Sequence, residues 1–240
     1  MTTESIQTTA TGKSRIFLGI FLLAALVELA TNLIPALPYA VHFVAKSLLM
    51  PALLMYFLQE SGDWEKQFRI PIILALIASF FGDFFLLFSG PNFFLMGLGS
   101  FLLAQASYIY AFRKGPFKQS TARIEMAFMA LGGLLILYGI LLVYSLWNYL
   151  GEMQIPVSIY SLVIMGMGLS ALGRKGKVNL ASFREVFVGA ALFILSDSLI
   201  AISRFGSEMA ELSYSGFWIM LTYIAAQYLI IRGLLKVKIS

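Results

Sequence analysis

Long apolar stretches follow one another along most of the chain and limit what it can fold into. Each is long enough to cross the hydrocarbon core of a bilayer as an α-helix, which takes about 17–25 mainly apolar residues. Of the 240 residues, 60% are hydrophobic and 12% are charged, whereas soluble domains average roughly 45–50% apolar and about 25% charged residues. The sequence therefore predicts an all-α, polytopic membrane protein rather than a soluble domain.

Turn-forming residues divide the apolar sequence into eight predicted spans. They cover residues 16–34, 39–58, 70–89, 93–112, 124–146, 155–173, 185–204 and 213–235. We therefore expect a bundle of eight transmembrane helices over 16–235, between a flexible N-terminal tail (1–15) and a short basic C-terminal tail (236–240). The first span has a basic start like a signal peptide, but it is too long for one and contains Glu28.

The basic residues give an independent test of this count. With eight spans, fifteen of the 17 Lys and Arg residues fall on the side that both tails share, while Arg204 falls on the other side and Lys46 lies within a span. Because cytoplasmic loops carry the excess of Lys and Arg, both termini are predicted to be cytoplasmic. The net charge of +5 is then a topology signal, and no nucleic-acid partner is expected.

Four charged residues lie deep within the predicted spans, away from their ends. Glu28, Lys46, Asp83 and Asp197 are each six or seven residues from the outer end of their span, which is roughly 9–11 Å at a rise of about 1.5 Å per residue. Charged side chains in hydrocarbon are costly and usually functional, so we predict one polar site. The structural alternative is that these residues only join helices, with Lys46 as a salt-bridge partner of Glu28.

The sequence offers no ligand set for a protein-held metal, and no cofactor is predicted. It contains no Cys and a single His, His42, near the outer end of the second span. An interfacial position for His42 is the simplest expectation. Carboxylates and histidines at metal-binding spacing are lacking.

A short internal repeat connects the two aspartates. Asp83 lies in FFGDFFLLF and Asp197 in FILSDSLIAI, each after a small residue, and Gln105 and Gln227 follow in the next span, each after Ala. This pattern suggests that spans 1–4 and 5–8 are two copies of one four-helix unit. Because four spans is an even number, the two repeats would be parallel.

Five stretches, taken in order, resemble the lysoplasmalogenase (YhhN-like) family of eight-helix membrane proteins. They are AKSLLMP (45–51), GDFFLLF (82–88), FLMGLGSFLLAQASYIYAF (94–112), GAALFILSDSLIAISRF (189–205) and YIAAQYLI (223–230). The resemblance implies hydrolysis of the vinyl ether bond of lysoplasmalogens to a fatty aldehyde and glycerophosphoethanolamine or glycerophosphocholine. The lysophospholipid would enter from the bilayer, which we expect to be the inner (cell) membrane of a bacterium.

The resemblance also implies site residues. The family pattern carries over to Lys46, Asp83, Gln105, Tyr108, Ser196, Asp197 and Gln227. Glu28 is added because it lies at the same predicted depth as Lys46, Asp83 and Asp197. Ser47 stands where many members have Pro, and Gln105 stands where many have His. The second departure removes a proton carrier, so Gln105 is expected only to form hydrogen bonds.

Vinyl ether hydrolysis requires an acid that is still protonated near neutral pH, because protonation at carbon creates the oxocarbenium ion that water captures. A second, ionised carboxylate stabilises the cation and activates the water. Phenylalanines flank Asp83 and serines flank Asp197, so we expect Asp83 to be the acid and Asp197 the base. Lys46 would bind the lipid phosphate or hold Asp197 ionised. Gln105, Tyr108 and Gln227 would position water and glycerol oxygens.

Two other functions fit the buried charges. A proton-coupled transporter of a small lipid or metabolite would also keep carboxylates inside the membrane, although no Gly–Pro break lies near either aspartate. A structural membrane protein would use the charges only for pairing. In that case a neutral substitution at Asp83 would impair folding and nothing else.

Overall fold

The computed structural model describes residues 3–115, 126–206 and 214–237, with side chains from residue 12 onward except that of residue 127. These residues form eight α-helices, no β-strand and one 3-10 turn, Gly151–Met153. The helices are α1 (Thr3–Leu33), α2 (Tyr39–Glu60), α3 (Lys66–Phe85), α4 (Pro91–Lys114), α5 (Met126–Leu150), α6 (Gln154–Leu172), α7 (Leu180–Phe205) and α8 (Ser215–Leu235). The predicted all-α fold is confirmed.

Seven stretches of the described residues are long and apolar enough to cross a membrane. Six lie in α1, α2, α3, α4, α7 and α8, and the seventh, Phe128–Leu172, contains both α5 and α6. Large apolar side chains such as Leu23 and Leu162 are 65% and 75% exposed, which suits a surface that faces lipid. The chain is a multi-pass integral membrane protein.

The helix ends differ from the predicted ones mainly where helical hydrogen bonding continues beyond the apolar core. α1 begins at Thr3 and so includes most of the predicted flexible tail, while its apolar span begins at Gly12. α3 ends at Phe85, four residues before the predicted end of its span, and the turn that follows has Gly90 at a φ of 120°. Residues 1–2, 124–125, 213 and 238–240 of the predicted tails and spans lie outside the described residues.

The chain divides into two compact units, with the boundary inside α4 between Ser107 and Tyr108. Unit 1 contains α1, α2, α3 and the first part of α4, and α2 packs against both α1 and α3. The Tyr39 hydroxyl donates to the Leu87 carbonyl at 2.6 Å, and the rings of Phe43 and Phe84 meet edge-on at 6.2 Å. The start of α2 therefore lies beside the end of α3.

α3 and α4 approach each other closely just before Asp83. A Cβ atom at Gly82 would lie 2.7 Å from the Phe101 ring, and one at Gly97 would lie 3.4 Å from the Gly82 carbonyl oxygen. Small residues let membrane helices pack this closely. The glycine before Asp83 is thus explained by packing against α4.

Pro51 interrupts the backbone hydrogen bonding of α2. Proline has no N–H, so it cannot donate to the carbonyl of Ser47 four residues earlier. The Ser47 hydroxyl oxygen is also buried and has no hydrogen-bond partner among the described residues. Within this mainly apolar helix, the Ser47 carbonyl therefore lacks its usual helical donor, and the Ser47 hydroxyl lacks a partner among the described residues.

Unit 2 contains the last part of α4 together with α5, α6, α7 and α8. The closest packing joins α7 to α8 through glycine on each helix. A Cβ atom at Gly189 would lie 2.9 Å from the Ala226 carbonyl oxygen and the Ile230 nitrogen, and one at Gly233 would lie 2.9 Å from the Val186 nitrogen. The two backbones are therefore in near contact at two levels.

α5 and α6 pack side by side. A Cβ atom at Gly139 on α5 would lie 2.8 Å from Cγ of Met165 on α6, and the 3-10 turn between the helices begins at Gly151 with a φ of 53°. The 45-residue apolar stretch from Phe128 to Leu172 therefore folds back on itself.

Arg174 is fully buried just after α6. Its Nη2 donates to the Ser182 hydroxyl at 2.9 Å, and that hydroxyl donates to the Gly233 carbonyl at 2.6 Å. The guanidinium lies 5.7 Å from the centre of the Phe112 ring. Burial lowers the pKa of Arg174 to about 9, because loss of hydration disfavours the charged form, so the group stays charged at neutral pH. Arg174 connects the ends of α4, α7 and α8.

Candidate functional site

Glu28 is fully buried between α1 and α2, and its carboxylate lies within ion-pair distance of His42. His42 Nδ1 lies 3.0 Å from Glu28 Oε2, and Asn32 Nδ2 lies 3.2 Å from Oε1. Thr31 donates to the Glu28 carbonyl at 2.7 Å and lies 3.4 Å from His42 Nδ1. The sequence leaves Lys46 as a candidate partner for Glu28, but the structure gives that place to His42.

Lys46 is half-buried on α2, one helical turn after His42. Within the described part of the chain, it forms no hydrogen bond or ion pair, and the Glu28 carboxylate contacts His42 and Asn32 instead. Its ammonium group is therefore available to an anion brought by a ligand.

Asp83 lies on the buried face of α3 and is 3% exposed. Ile72, Leu76 and Ser79 lie on the same face at helical spacing. The rings of Phe80 and Phe84, on either side of Asp83 along the helix, stack at 6.1 Å. The carboxyl group is thus buried, in a largely apolar part of the helix.

Asp197 is half-buried on α7 and accepts a hydrogen bond from the Tyr160 hydroxyl on α6. The hydroxyl groups of the flanking serines point elsewhere: Ser196 donates to the Ile219 carbonyl at 3.0 Å and Ser198 to the Ile194 carbonyl at 2.7 Å. The expectation that the flanking serines donate to the Asp197 carboxylate is therefore wrong, because residues adjacent on a helix do not face each other. A hydroxyl group does reach Asp197, but it comes from another helix.

Tyr108 and Gln227 form a fully buried pair in unit 2. The Tyr108 hydroxyl donates to Gln227 Oε1 at 2.6 Å, and Gln227 Nε2 donates to the Tyr223 hydroxyl at 3.3 Å. The structure therefore brings together two of the residues predicted for the site and adds Tyr223. Gln105 is likewise fully buried, on the part of α4 that belongs to unit 1.

Sequence reasoning missed three residues that contact predicted ones: His42, Tyr160 and Tyr223. Tyr223 carries a usable signal, because it lies four residues before Gln227 and therefore on the same helix face. His42 could be found by pairing α1 and α2 as an antiparallel hairpin around the short connection at 34–38. Tyr160 is 37 residues from Asp197, and nothing local distinguishes it from other tyrosines.

Two further features bear on what the site can hold. In the described part of the chain, no group of three His, Cys, Asp or Glu residues lies close enough to hold a metal ion. A groove of about 480 Å³ opens between α1 and α2, lined by apolar side chains from Ile20 to Val27 and from Ala40 to Leu48. Because apolar side chains line it, this groove is not an acid–base site.

Known proteins of similar sequence indicate the family of this chain. The chain is 31% identical over 179 residues to the lysoplasmalogenase of Mycobacterium tuberculosis, covering 70% of this chain and 60% of that protein. It is also 31% identical over 162 residues to lysoplasmalogenase TMEM86A of Bos taurus and to TMEM86B of Homo sapiens, covering 66% and 68% of this chain and 62% of each relative. The chain thus matches less than two thirds of the length of these relatives.

No solved structure matches the chain. The sequence pattern of the YhhN family, however, matches residues 41–234. This range runs from the start of α2 to the end of α8 and includes Lys46, Asp83 and Asp197. The predicted family resemblance is confirmed: the chain belongs to the YhhN family.

Proposed function

We propose that this protein hydrolyses the vinyl ether bond of 1-alkenyl lysophospholipids with an ethanolamine or choline head group. The products are a fatty aldehyde and the glycerophospho-head group. Membership of the YhhN family and relatives named lysoplasmalogenase support this proposal. The observation that carries it is Asp83, a carboxyl group 3% exposed within a membrane-spanning helix. A carboxyl group at such a place is a functional-site hypothesis by default.

Asp83 is the proposed general acid. It donates its proton to the vinyl carbon that is not bonded to the ether oxygen, and the double-bond electrons form the new C–H bond. The ether oxygen then shares its electrons with the adjacent carbon, which gives an oxocarbenium ion. Water adds to that carbon, loses a proton and leaves a hemiacetal, which collapses to the aldehyde and the glycerol hydroxyl. The general acid must be protonated when the lipid arrives, and a buried carboxyl group meets this requirement.

Asp197 is the proposed base that takes the proton from the attacking water. Its half-buried carboxylate accepts a hydrogen bond from Tyr160, and hydrogen bonds to the charged form of a carboxylate stabilise that form. The two aspartates thus have contrasting surroundings, as in other enzymes that pass through an oxocarbenium ion.

Lys46 is the proposed contact for the lipid phosphate. The phosphate is an anion, and Lys46 forms no ion pair within the described residues. Tyr108, Gln227 and Ser196 already make hydrogen bonds inside unit 2, so we assign them to holding that unit in shape. Gln105 and Glu28 are the remaining polar residues that we propose for the site.

We also propose eight membrane crossings with both termini in the cytoplasm of a bacterium. The fold-back of Phe128–Leu172 supports two crossings for this stretch, because α5 and α6 each have 19 residues or more. The distribution of Lys and Arg supports the orientation. The protein would then lie in the inner (cell) membrane.

Aldehyde release by purified protein tests the proposed function. The protein in detergent is incubated with 1-alkenyl lysophosphatidylethanolamine, beside the variants Asp83→Asn and Asp197→Asn. The matched control is Asp63→Asn, which changes an exposed aspartate in the α2–α3 turn. We expect release by the parent and the control, and a loss of about a hundredfold or more in both site variants. A folded parent that releases no aldehyde would contradict the proposal and favour the transporter.

A further inference from the structure

The single histidine of the chain forms a dyad with a carboxylate. His42 makes its contacts to Glu28 and Thr31 through Nδ1. The Thr31 hydroxyl already donates to the Glu28 carbonyl, and an ionised carboxylate has no proton to donate. A lone pair on Nδ1 would therefore face oxygen lone pairs, so we expect a neutral His42 to carry its proton on Nδ1. Nε2 then holds a lone pair, and it has no hydrogen-bond partner among the described residues. A buried carboxylate that orients a histidine in this way leaves the other nitrogen ready to take up a proton.

The dyad lies near one end of a membrane-spanning helix, where we expect it to exchange protons with water at the membrane surface. α2 begins at Tyr39, so His42 lies in its first turn, and the side chain is 24% exposed. Glu28 behind it is fully buried. One nitrogen of the ring is therefore fixed inside unit 1, while the ring itself reaches the surface near the end of the helix.

The dyad also lies near the end of α3 that carries the proposed acid. The Phe43–Phe84 ring contact aligns α2 with α3, and His42 and Asp83 are the immediate neighbours of these two phenylalanines. Phe43 also contacts the Phe88 ring at 6.5 Å, so at about 1.5 Å of rise per residue the offset between His42 and Asp83 along the helices is about 3–9 Å. Packed helices are about 8–10 Å apart, so a proton would pass between the two side chains through intervening water. Lys46 lies one turn further along α2.

We propose that the Glu28–His42 dyad is the proton relay of unit 1, with His42 Nε2 exchanging protons between water and Asp83. The inference rests on the proposed function, in which each turnover transfers a proton from Asp83 to carbon. The attacking water gives an equivalent proton to the base, so no proton is consumed overall. Asp83 must nevertheless be reprotonated. His42 delivers that proton through water and takes another from solution. His42 is thus a positioning and relay residue that does not touch the substrate.

Chemical rescue tests the relay. His42→Ala removes the ring from a partly exposed place, and His42→Gln keeps a polar side chain that cannot carry a proton. We expect aldehyde release to fall at least about tenfold in both variants, and added imidazole to restore release by His42→Ala. Asp83→Asn, the matched control, should gain nothing from imidazole. A parent-like rate in His42→Gln, or a loss in folded His42→Ala that imidazole does not restore, would overturn the relay.

Nitrogen NMR of the parent needs no variant and no activity. Because there is one histidine, ¹⁵N-histidine labelling gives the signals of His42 alone when the protein is purified without a histidine tag. We expect the neutral ring to carry its proton on Nδ1, and Glu28→Gln to change that tautomer. A parent with the proton on Nε2 overturns the dyad. If the parent releases no aldehyde, the proposed function fails, while the NMR result still decides whether the dyad exists.

Discussion

At the scale of single residues, the contact between Tyr160 and Asp197 shows how a neighbouring helix determines the chemistry of a carboxylate. The hydroxyl of Tyr160 donates to Asp197 Oδ2, and hydrogen bonds to charged groups contribute about 1.5–3 kcal/mol. The serines next to Asp197 in the sequence donate to backbone carbonyls instead. The environment of Asp197 therefore depends on how α6 packs against α7.

Tyr160→Phe should lower aldehyde release by about tenfold to a hundredfold, because Asp197, the proposed base, loses the donor that stabilises its charged form. The measurement is the initial rate in detergent, with folding checked by size-exclusion chromatography. Tyr144→Phe is the matched control, since Tyr144 is 79% exposed. A Tyr160→Phe rate equal to that of the control would argue against Asp197 as the base.

The sequence identifies the residues that are chemically out of place but misses most of their partners. Asp83 and Asp197 stand out because a charge in an apolar run is costly. Tyr160 does not stand out, because tyrosine is common in membrane helices and its contact is made across 37 residues. His42 is visible in the sequence, but its pairing with Glu28 depends on the register between α1 and α2.

At the scale of helices, glycines determine where neighbours touch. The α7–α8 contact has no room for a side chain at Gly189, where the nearest atoms include the backbone of Ala226 and Ile230. Backbone atoms cannot rotate away as a side chain can, so the helices would have to separate. At Gly133 on α5, by contrast, nothing lies within 4 Å of an added Cβ atom.

Gly189→Ala should therefore destabilise the protein by about 1–3 kcal/mol, seen as a lower temperature of thermal unfolding in detergent. Gly133→Ala is the control and should leave this temperature unchanged or raise it slightly, since alanine is the better helix former by about 1 kcal/mol. Equal unfolding temperatures for the two variants would contradict the close contact between α7 and α8.

Helix positions were largely predictable, whereas helix ends were not. The second span is predicted at 39–58 and α2 is Tyr39–Glu60, because turn residues border it on both sides. The first span is predicted to begin at residue 16, but α1 begins at Thr3. Hydropathy reports where the hydrocarbon core is, and helical hydrogen bonds do not have to end there.

At the scale of the whole molecule, the lack of cysteine makes the proposed topology easy to test. Glu152→Cys lies in the turn between α5 and α6, and Lys175→Cys follows α6; both positions are exposed. If α6 crosses the membrane, a membrane-impermeant maleimide should label Glu152→Cys in intact cells and Lys175→Cys only in broken cells. The unmodified chain is the control for background. Labelling of both variants from the same side would contradict eight crossings.

Composition alone predicted the class of the molecule, because 60% hydrophobic residues cannot be covered by a soluble surface. Motifs in order predicted the family, and the match over residues 41–234 confirms it. The hydrogen bonds of the candidate site were not predictable to the same extent. They join helices that are distant in the chain, such as those that carry Tyr108 and Gln227.

Pro51 makes α2 easier to bend at one of its turns. The missing hydrogen bond to Ser47 lowers the resistance of the helix to bending at the turn below Lys46 and His42. A bilayer thicker or thinner than the helix imposes hydrophobic mismatch, which a helix relieves by tilting or bending. We therefore expect aldehyde release to vary with the acyl-chain length of the host vesicles, and to vary less in Pro51→Ala. The thickness of the surrounding membrane would then change the proposed activity through Pro51.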